Sequence, residues 1–274
     1  MAAEEPQQKP EPLSADADGV NCLAYDEAIM AQQDRIQQEI AGQTPLVSER
    51  LDLAVLYQEY AQDDLIYQQK IQALLQKYSH IRKTRAGNGN CFYRAFGFAH
   101  LEALLEDTQE LQRFKEVSAR SKEELVAQGF TEFTIEDFHN TVTDGAAGAG
   151  WEQGLALPEL LAAFNEPGTS DYLVVYLRLL TSGCLQRHHR FFQSFLEGTR
   201  SVKEFCQQEV EPMCKESDHI HVIALARALQ VPVLVEYMDR GGPGGATHPH
   251  IFPEGSQPRV CLLYRPGHYD ILYK

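Results

Sequence analysis

The chain has 274 residues, 43% hydrophobic and 23% charged, a globular composition that excludes collagen-like, coiled-coil and wholly disordered architectures. Its 24 basic and 39 acidic residues leave a net charge of -15, so on average it repels nucleic acid and anionic membranes and favours a basic partner. The six cysteines, at 22, 91, 184, 206, 214 and 261, form no CxxC pair, and the acidic N-terminus lacks an apolar stretch; both predict a reduced, soluble, cytoplasmic protein, with the nucleus as a second compartment.

Residues 1–22, with Pro6, Pro10, Pro12 and a majority of acids among the charged positions, predict a disordered acidic tail. The stretch 23–44 predicts a helix, because Tyr25, Ile29, Ile36 and Ile40 recur at helical spacing, with Gln32 interrupting the seam. So thin a seam fits a helix packed on its own core and a helix that folds onto a partner equally well. Thr44-Pro45 breaks it, and a domain over 45–274 follows. Residues 46–79 again show helical spacing, through Leu51, Leu53, Leu56 and Tyr57 and then Leu65, Ile71, Leu74 and Leu75.

The loop 85–90, Arg-Ala-Gly-Asn-Gly-Asn, leads into an apolar helix from Cys91 to about Glu106. Phe92, Tyr93, Phe96, Phe98, Leu101, Leu104 and Leu105 cover most of its circumference and predict a central buried position. Helices are expected at about 109–128, 156–165, 170–182, 185–197 and 201–208, and the glycine-rich segment 142–156 predicts a surface loop. The most apolar stretch, Tyr172 to Leu180, contains Arg178 and is too short to span a bilayer.

The last quarter changes character. A helix over 217–229 with Ser217 or Asp218 as N-cap precedes a strand at 231–238 and a loop at 239–250. Residues 259–264 and 268–273 form a β-hairpin around Arg265-Pro266-Gly267. The expected class is α+β, helices around a small, mostly antiparallel sheet.

Cys91 is the first candidate for chemistry. It follows a Gly-Asn loop and opens a helix, where free backbone N–H groups and the positive helix end favour a thiolate and can hold an oxyanion. Its bland alternative is a small buried cysteine behind a helix cap. A cysteine nucleophile needs a base, and His268 begins the second hairpin strand with Asp270 on the same face two residues later, while Tyr269 points to the other face. The bland alternative for that pair is an exposed charge pair. His219 and His221 lack a second pair of metal ligands and are read as capping and packing residues, so no metal or cofactor is expected. Cys206 and Cys261 are read as packing residues and Cys22 as exposed in the tail.

Asn88-Gly89-Asn90-Cys91-Phe92-Tyr93-Arg94-Ala95 resembles the nucleophile motif of ovarian-tumour-type cysteine deubiquitinases, and Tyr264-Arg265-Pro266-Gly267-His268-Tyr269-Asp270 resembles their C-terminal histidine motif. The resemblance extends through most of 22–274 and implies a papain-like catalytic domain of that family. It implies a cysteine isopeptidase acting on ubiquitin and polyubiquitin, with preference for the linkage that targets proteins to the proteasome. It also implies binding to ubiquitin-conjugating enzymes that blocks chain synthesis; the alternative is a mainly non-catalytic inhibitor with weak hydrolysis. Cys91, His268 and Asp270 would be catalytic, with the backbone of Asn88 at the oxyanion. The resemblance implies ubiquitin contacts at Tyr25, Ile29, Ile36, Ile223, Tyr237, Tyr264 and Tyr269. The chain departs from the family motif where Asn88 replaces an aspartate and Ala86-Gly87 replaces a proline in a longer loop.

Overall fold

The computed structural model of the chain describes residues 26–32, 35, 36, 39, 44–87, 89–132, 157–241 and 246–274. The chain divides into two units, 1–44 and 45–274. In the first, residues 26–32, 35, 36 and 39 are helical, and Ile29 and Ile36 are 41% and 47% exposed.

The second unit is built on a helix and a sheet that bury each other. Helix α2 (Cys91–Leu104) carries aromatic residues around its whole girth, and Tyr93, Phe96 and Phe98 are fully buried. The sheet runs in the order β1 (Leu51–Asp52), β2 (His80–Arg82), β6 (His268–Tyr273), β5 (Val260–Arg265), β3 (Val233–Tyr237) and β4 (His248–Phe252). The β3–β5 pair is parallel and the other described strand pairs are antiparallel. Strand alternation sends side chains to two cores. Leu262 and Ile271 join the core of α2 and of α5 (Pro167–Arg187), whereas Leu263 and Leu272 join Leu53, Leu56, Ile71 and Leu74 on the opposite face. Helix α1 (Leu65–Leu75) and the 3-10 turn Leu53–Gln58 cover that second face. Helix α3 (Thr108–Ala127) and α4 (Leu157–Asn165) complete the first core with Phe114, Val117, Leu160 and Phe164. Helix α6 (His219–Leu229) has Asp218 as its N-cap, one of the two caps the sequence predicts.

The structure corrects several sequence expectations. Residues 46–79 are not one helical stretch: Leu51–Asp52 is a strand, Leu53–Gln58 a 3-10 turn, and only Leu65–Leu75 an α-helix. The spacing of Leu53 and Leu56 fits a 3-10 turn as well as an α-helix. Strand β2 lies at His80–Arg82, where no strand is expected, and β4 at His248–Phe252 occupies part of the expected 239–250 loop. Residues 170–187 belong to one helix, because Gly183 marks a close approach and not a break: a Cβ there would meet Leu125 Cδ2 at 2.5 Å. Beyond Arg187 the expected 185–197 helix is reduced to short turns at His189–Phe192 and Gln193–Phe195. The 201–208 helix starts at Val202 and widens into a π-turn over Cys206–Val210. The 1–22 tail, Cys22 and the 142–156 loop lie outside the described residues.

Candidate active site

Cys91 is the first residue of α2 and is 5% exposed. The N-cap residue, Asn90, does not use its side chain to cap the helix. Its Oδ1 accepts instead from Arg178 Nη2 at 2.8 Å and from the Cys214 N–H at 3.1 Å. Arg178, fully buried on α5, also donates to the carbonyls of Gly89, Lys215 and Val210 at 3.0, 2.7 and 3.0 Å, and its guanidinium stacks 4.6 Å from the Tyr93 ring centroid. One side chain thereby fixes the loop before the cysteine to the 210–215 segment. Gly89 must be glycine: its φ is +63, and a Cβ would lie 2.6 Å from the backbone of Cys214. The Asn90 side chain makes no capping bond to the N–H groups at the start of α2, and the positive end of that helix falls at Cys91.

The hairpin brings in the base. In the β5–β6 register Arg265 pairs with His268 and Leu263 with Asp270, so His268 sits at the turn end of the hairpin and Asp270 inside the sheet. His268 Nε2 and Asp270 Oδ1 are 2.9 Å apart, and Asp270 is fully buried. The same Oδ1 accepts the Thr84 N–H at 2.9 Å, and Thr84 Oγ1 donates to the Tyr269 carbonyl at 2.6 Å. Asp270 Oδ2 accepts from Arg265, whose guanidinium also reaches Glu59. With Nε2 engaged, Nδ1 is the imidazole nitrogen left for Cys91; it has no hydrogen-bond partner among the described residues, and the Cys91 thiol lies 4.0 Å from the carbonyl of Gly267, the residue before His268. Burial by itself would lower the His268 pKa, but Asp270, which accepts the Nε2 hydrogen bond and adds its negative charge, and the neighbouring Cys91 outweigh it and push it up to about 9. Burial likewise works to raise the Asp270 carboxyl, and the His268 hydrogen bond, Arg265 and the Thr84 amide together hold it below its ordinary value. A protonated imidazole beside the sulfur is the arrangement a thiolate nucleophile requires.

The structure therefore brings Cys91, His268 and Asp270 together, and the last two are not the exposed pair that pattern alone allows. Asn88 and Tyr25 lie outside the described residues. Ile29 and Ile36 are exposed on helical residues, and Ile223 and Tyr264 are half-buried. Tyr237 and Tyr269 are corrected from surface contacts to packing residues: they are 6% and 2% exposed, and the Tyr269 hydroxyl donates to the Ser217 carbonyl. Tyr269 instead braces the site from behind, 5.2 Å from the Phe92 ring. Sequence reasoning missed Thr84, Arg178 and Arg265. Arg265 lies inside the quoted histidine motif and Arg178 is a charge within an apolar helix, and each was a usable signal. Among the described residues no cluster of three or more His, Cys, Asp or Glu could hold a metal, and no helix is long and apolar enough to cross a membrane.

The family model for otubain, peptidase C65, matches residues 23–274. Ubiquitin thioesterase OTUB1 of Homo sapiens is 74% identical over the whole of both chains, and OTUB2 of Homo sapiens is 39% identical over 83% of this chain and 95% of its own. Among solved structures, h/ceOTUB1 in complex with ubiquitin aldehyde and UBCH5B~Ub aligns with a TM-score of 0.83 at 38% identity, covering 92% of this chain and 99% of that one. The corresponding complex with UBC13~Ub aligns at 0.84 and 37%, with the same coverage.

Proposed function

The chain belongs to the otubain family of C65 cysteine peptidases and is a ubiquitin-directed hydrolase, and from that premise we propose that it cleaves the isopeptide bond of polyubiquitin with preference for the proteasome-targeting linkage. The single observation that carries the catalytic assignment is the 2.9 Å contact between His268 and the buried Asp270, beside Cys91 at a helix start. The Cys91 sulfur attacks the isopeptide carbonyl carbon, and the N–H groups at the start of α2 hold the oxyanion. The proton on His268 passes to the departing lysine amine as the C–N bond breaks, leaving a thioester. His268 then takes a proton from water, whose oxygen displaces the sulfur and releases the ubiquitin carboxylate. Asp270 holds the imidazole so that Nδ1 faces the sulfur throughout.

The complexes of h/ceOTUB1 with ubiquitin aldehyde and charged conjugating enzymes support ubiquitin and ubiquitin-conjugating enzymes as partners of this chain as well. The second reading, inhibition of conjugating enzymes independent of hydrolysis, is favoured by the exposure of Ile29 and Ile36 on helical residues within the 23–44 segment, apolar side chains suited to a partner. The cytoplasm is the proposed location. A thiol-directed ubiquitin probe should label the native chain at Cys91, and Cys91→Ser should abolish both labelling and cleavage. Chain-synthesis inhibition that survives Cys91→Ser and vanishes on deleting residues 1–44 would add the second activity; inhibition untouched by the deletion would remove the helix from it. A panel of differently linked di-ubiquitins cleaved at equal rates would refute the linkage preference.

A further inference from the structure

Behind the catalytic pair, charges alternate in sign through four contacts. His268 meets Asp270 Oδ1, Asp270 Oδ2 meets Arg265 Nη2, Arg265 Nη1 meets Glu59 Oε2, and Glu59 Oε1 meets Lys83 Nζ. Exposure rises outward along the row, from 0% at the Asp270 side chain to 14% at Arg265 and 28% at both Glu59 and Lys83. We infer that Arg265 is a positioning residue for hydrolysis, orienting the Asp270 carboxylate and setting how much of its negative charge reaches the His268 imidazole, with Glu59 holding part of the guanidinium's charge away from Asp270.

Three features support this. Arg265 takes the carboxylate oxygen that His268 leaves unused, so its contact turns Oδ1 toward the imidazole without competing for it. The planar guanidinium reaches both acids at once, which a point charge could not do with fixed geometry. Arg265 is also the β5 residue facing His268 across the hairpin, so the tight turn at Gly267, φ +74, sets its place. The other titratable or charged groups around the pair are Cys91 at the start of α2, Tyr60 beside the guanidinium, and Glu216, whose carboxylate approaches Gly267. Among the described residues, the further contact to the Asp270 side chain from another segment is the Thr84 backbone amide, which carries no net charge.

The next two charges along the row beyond Asp270, Arg265 and Glu59, predict opposite effects. Removing the Arg265 charge, with Asp270 Oδ1 still held by the Thr84 amide, exposes His268 to the full Asp270 carboxylate and should raise the imidazole pKa from about 9. Removing the Glu59 charge lets Arg265 neutralise Asp270 more completely and should lower it. A merely structural ion pair would reduce activity in both variants without moving the imidazole in opposite directions.

The test is a pair of readouts on the full chain with Arg265→Gln, Glu59→Gln and Arg265→Lys. One is the alkaline limb of kcat/KM on di-ubiquitin, and the other is the NMR titration of the His268 ring, which needs no turnover. Arg265→Gln should move both upward and Glu59→Gln both downward, each by roughly half a pH unit or more. Arg265→Lys should keep the limb near its native position while lowering kcat about tenfold, because the charge remains and the fork is lost. A downward shift in Arg265→Gln, or no shift in Glu59→Gln, overturns the inference. Should Arg265→Gln fail to fold, the partly exposed Glu59→Gln decides it by the sign of its shift. The inference rests on the catalytic reading above, and the two fail separately: cleavage surviving in Cys91→Ser refutes that reading, whereas the NMR arm tests the charge row alone.

Discussion

Two histidines of this protein sit in nearly dry surroundings and end at opposite extremes. His100 lies on α2, the helix that Cys91 opens, and is 2% exposed between the rings of Phe96 and Phe114. Neither of its ring nitrogens has a hydrogen-bond partner among the described residues, and burial pushes its pKa down to about 3. At His268 burial acts in the same direction, yet Asp270 and Cys91 carry it up to about 9. Desolvation is thus common to both, and the partners decide the sign. The aromatic surroundings of α2 keep a histidine neutral, while the interior of hairpin strand β6 supplies the carboxylate that keeps one charged. A cysteine peptidase needs the second environment within reach of the first, and the fold achieves this by setting β6 against the start of α2.

The largest effect that would break this contrast is loss of the base. His268→Ala should lower di-ubiquitin turnover by about 10³-fold or more with the fold intact by circular dichroism, whereas His100→Leu should leave it within about twofold. Comparable losses in both would mean that His100 is no mere core residue. Next comes Asp270→Asn, which keeps shape but removes charge. Turnover should fall by about 10²-fold, and the alkaline limb should drop from about 9 toward the ordinary histidine value. An unmoved limb would show that Asp270 orients the ring without charging it.

Smaller effects lie in stability. The folded-state pKa of His268 is raised above 6.5, so its contribution is full below that value and is lost as pH climbs through about 9. Thermal melts of the native chain should therefore fall on the alkaline side, and those of His268→Ala should fall less. His100 is depressed, so stability is full above 6.5 and declines as pH drops toward about 3. Substituting leucine there should flatten the acid side by up to about 1.4 kcal/mol per pH unit, the slope for one proton. An unchanged acid slope would place the titrating group elsewhere.

What could be read in the sequence was local. The Gly-Asn loop running into an apolar helix marked Cys91, and the i, i+2 spacing within a hairpin marked His268 and Asp270, because loop–helix junctions and strand alternation are short-range patterns. What could not be read depends on distant partners. Strands β1 and β2 are too short to show alternation and exist through pairings such as Leu51 with Ile81 and Arg82 with Ile271. Strand β4, with Pro249 and two histidines, has loop composition and is held by β3 alone, as an edge strand can be. Thr84 reaches Asp270 across 186 positions and Arg178 reaches Asn90 across 88, distances over which no residue spacing carries information. The Tyr237 and Tyr269 assignments failed for a related reason: an aromatic residue on a strand is equally suited to either face until the sheet order is known.

The hydrogen bond from the Cys214 amide to Asn90 offers a clock for the nucleophile loop. That amide can exchange its proton for deuterium only when the bond to Asn90 Oδ1 opens, and Arg178 clamps the same oxygen from the buried side. Its exchange rate therefore reports how often the loop before Cys91 unfastens, in the resting protein, with no substrate, probe or turnover required. A protection factor close to that of the core strands would mean that the oxyanion site stands assembled before ubiquitin arrives, and a value near that of the exposed turns would mean that ubiquitin must assemble it.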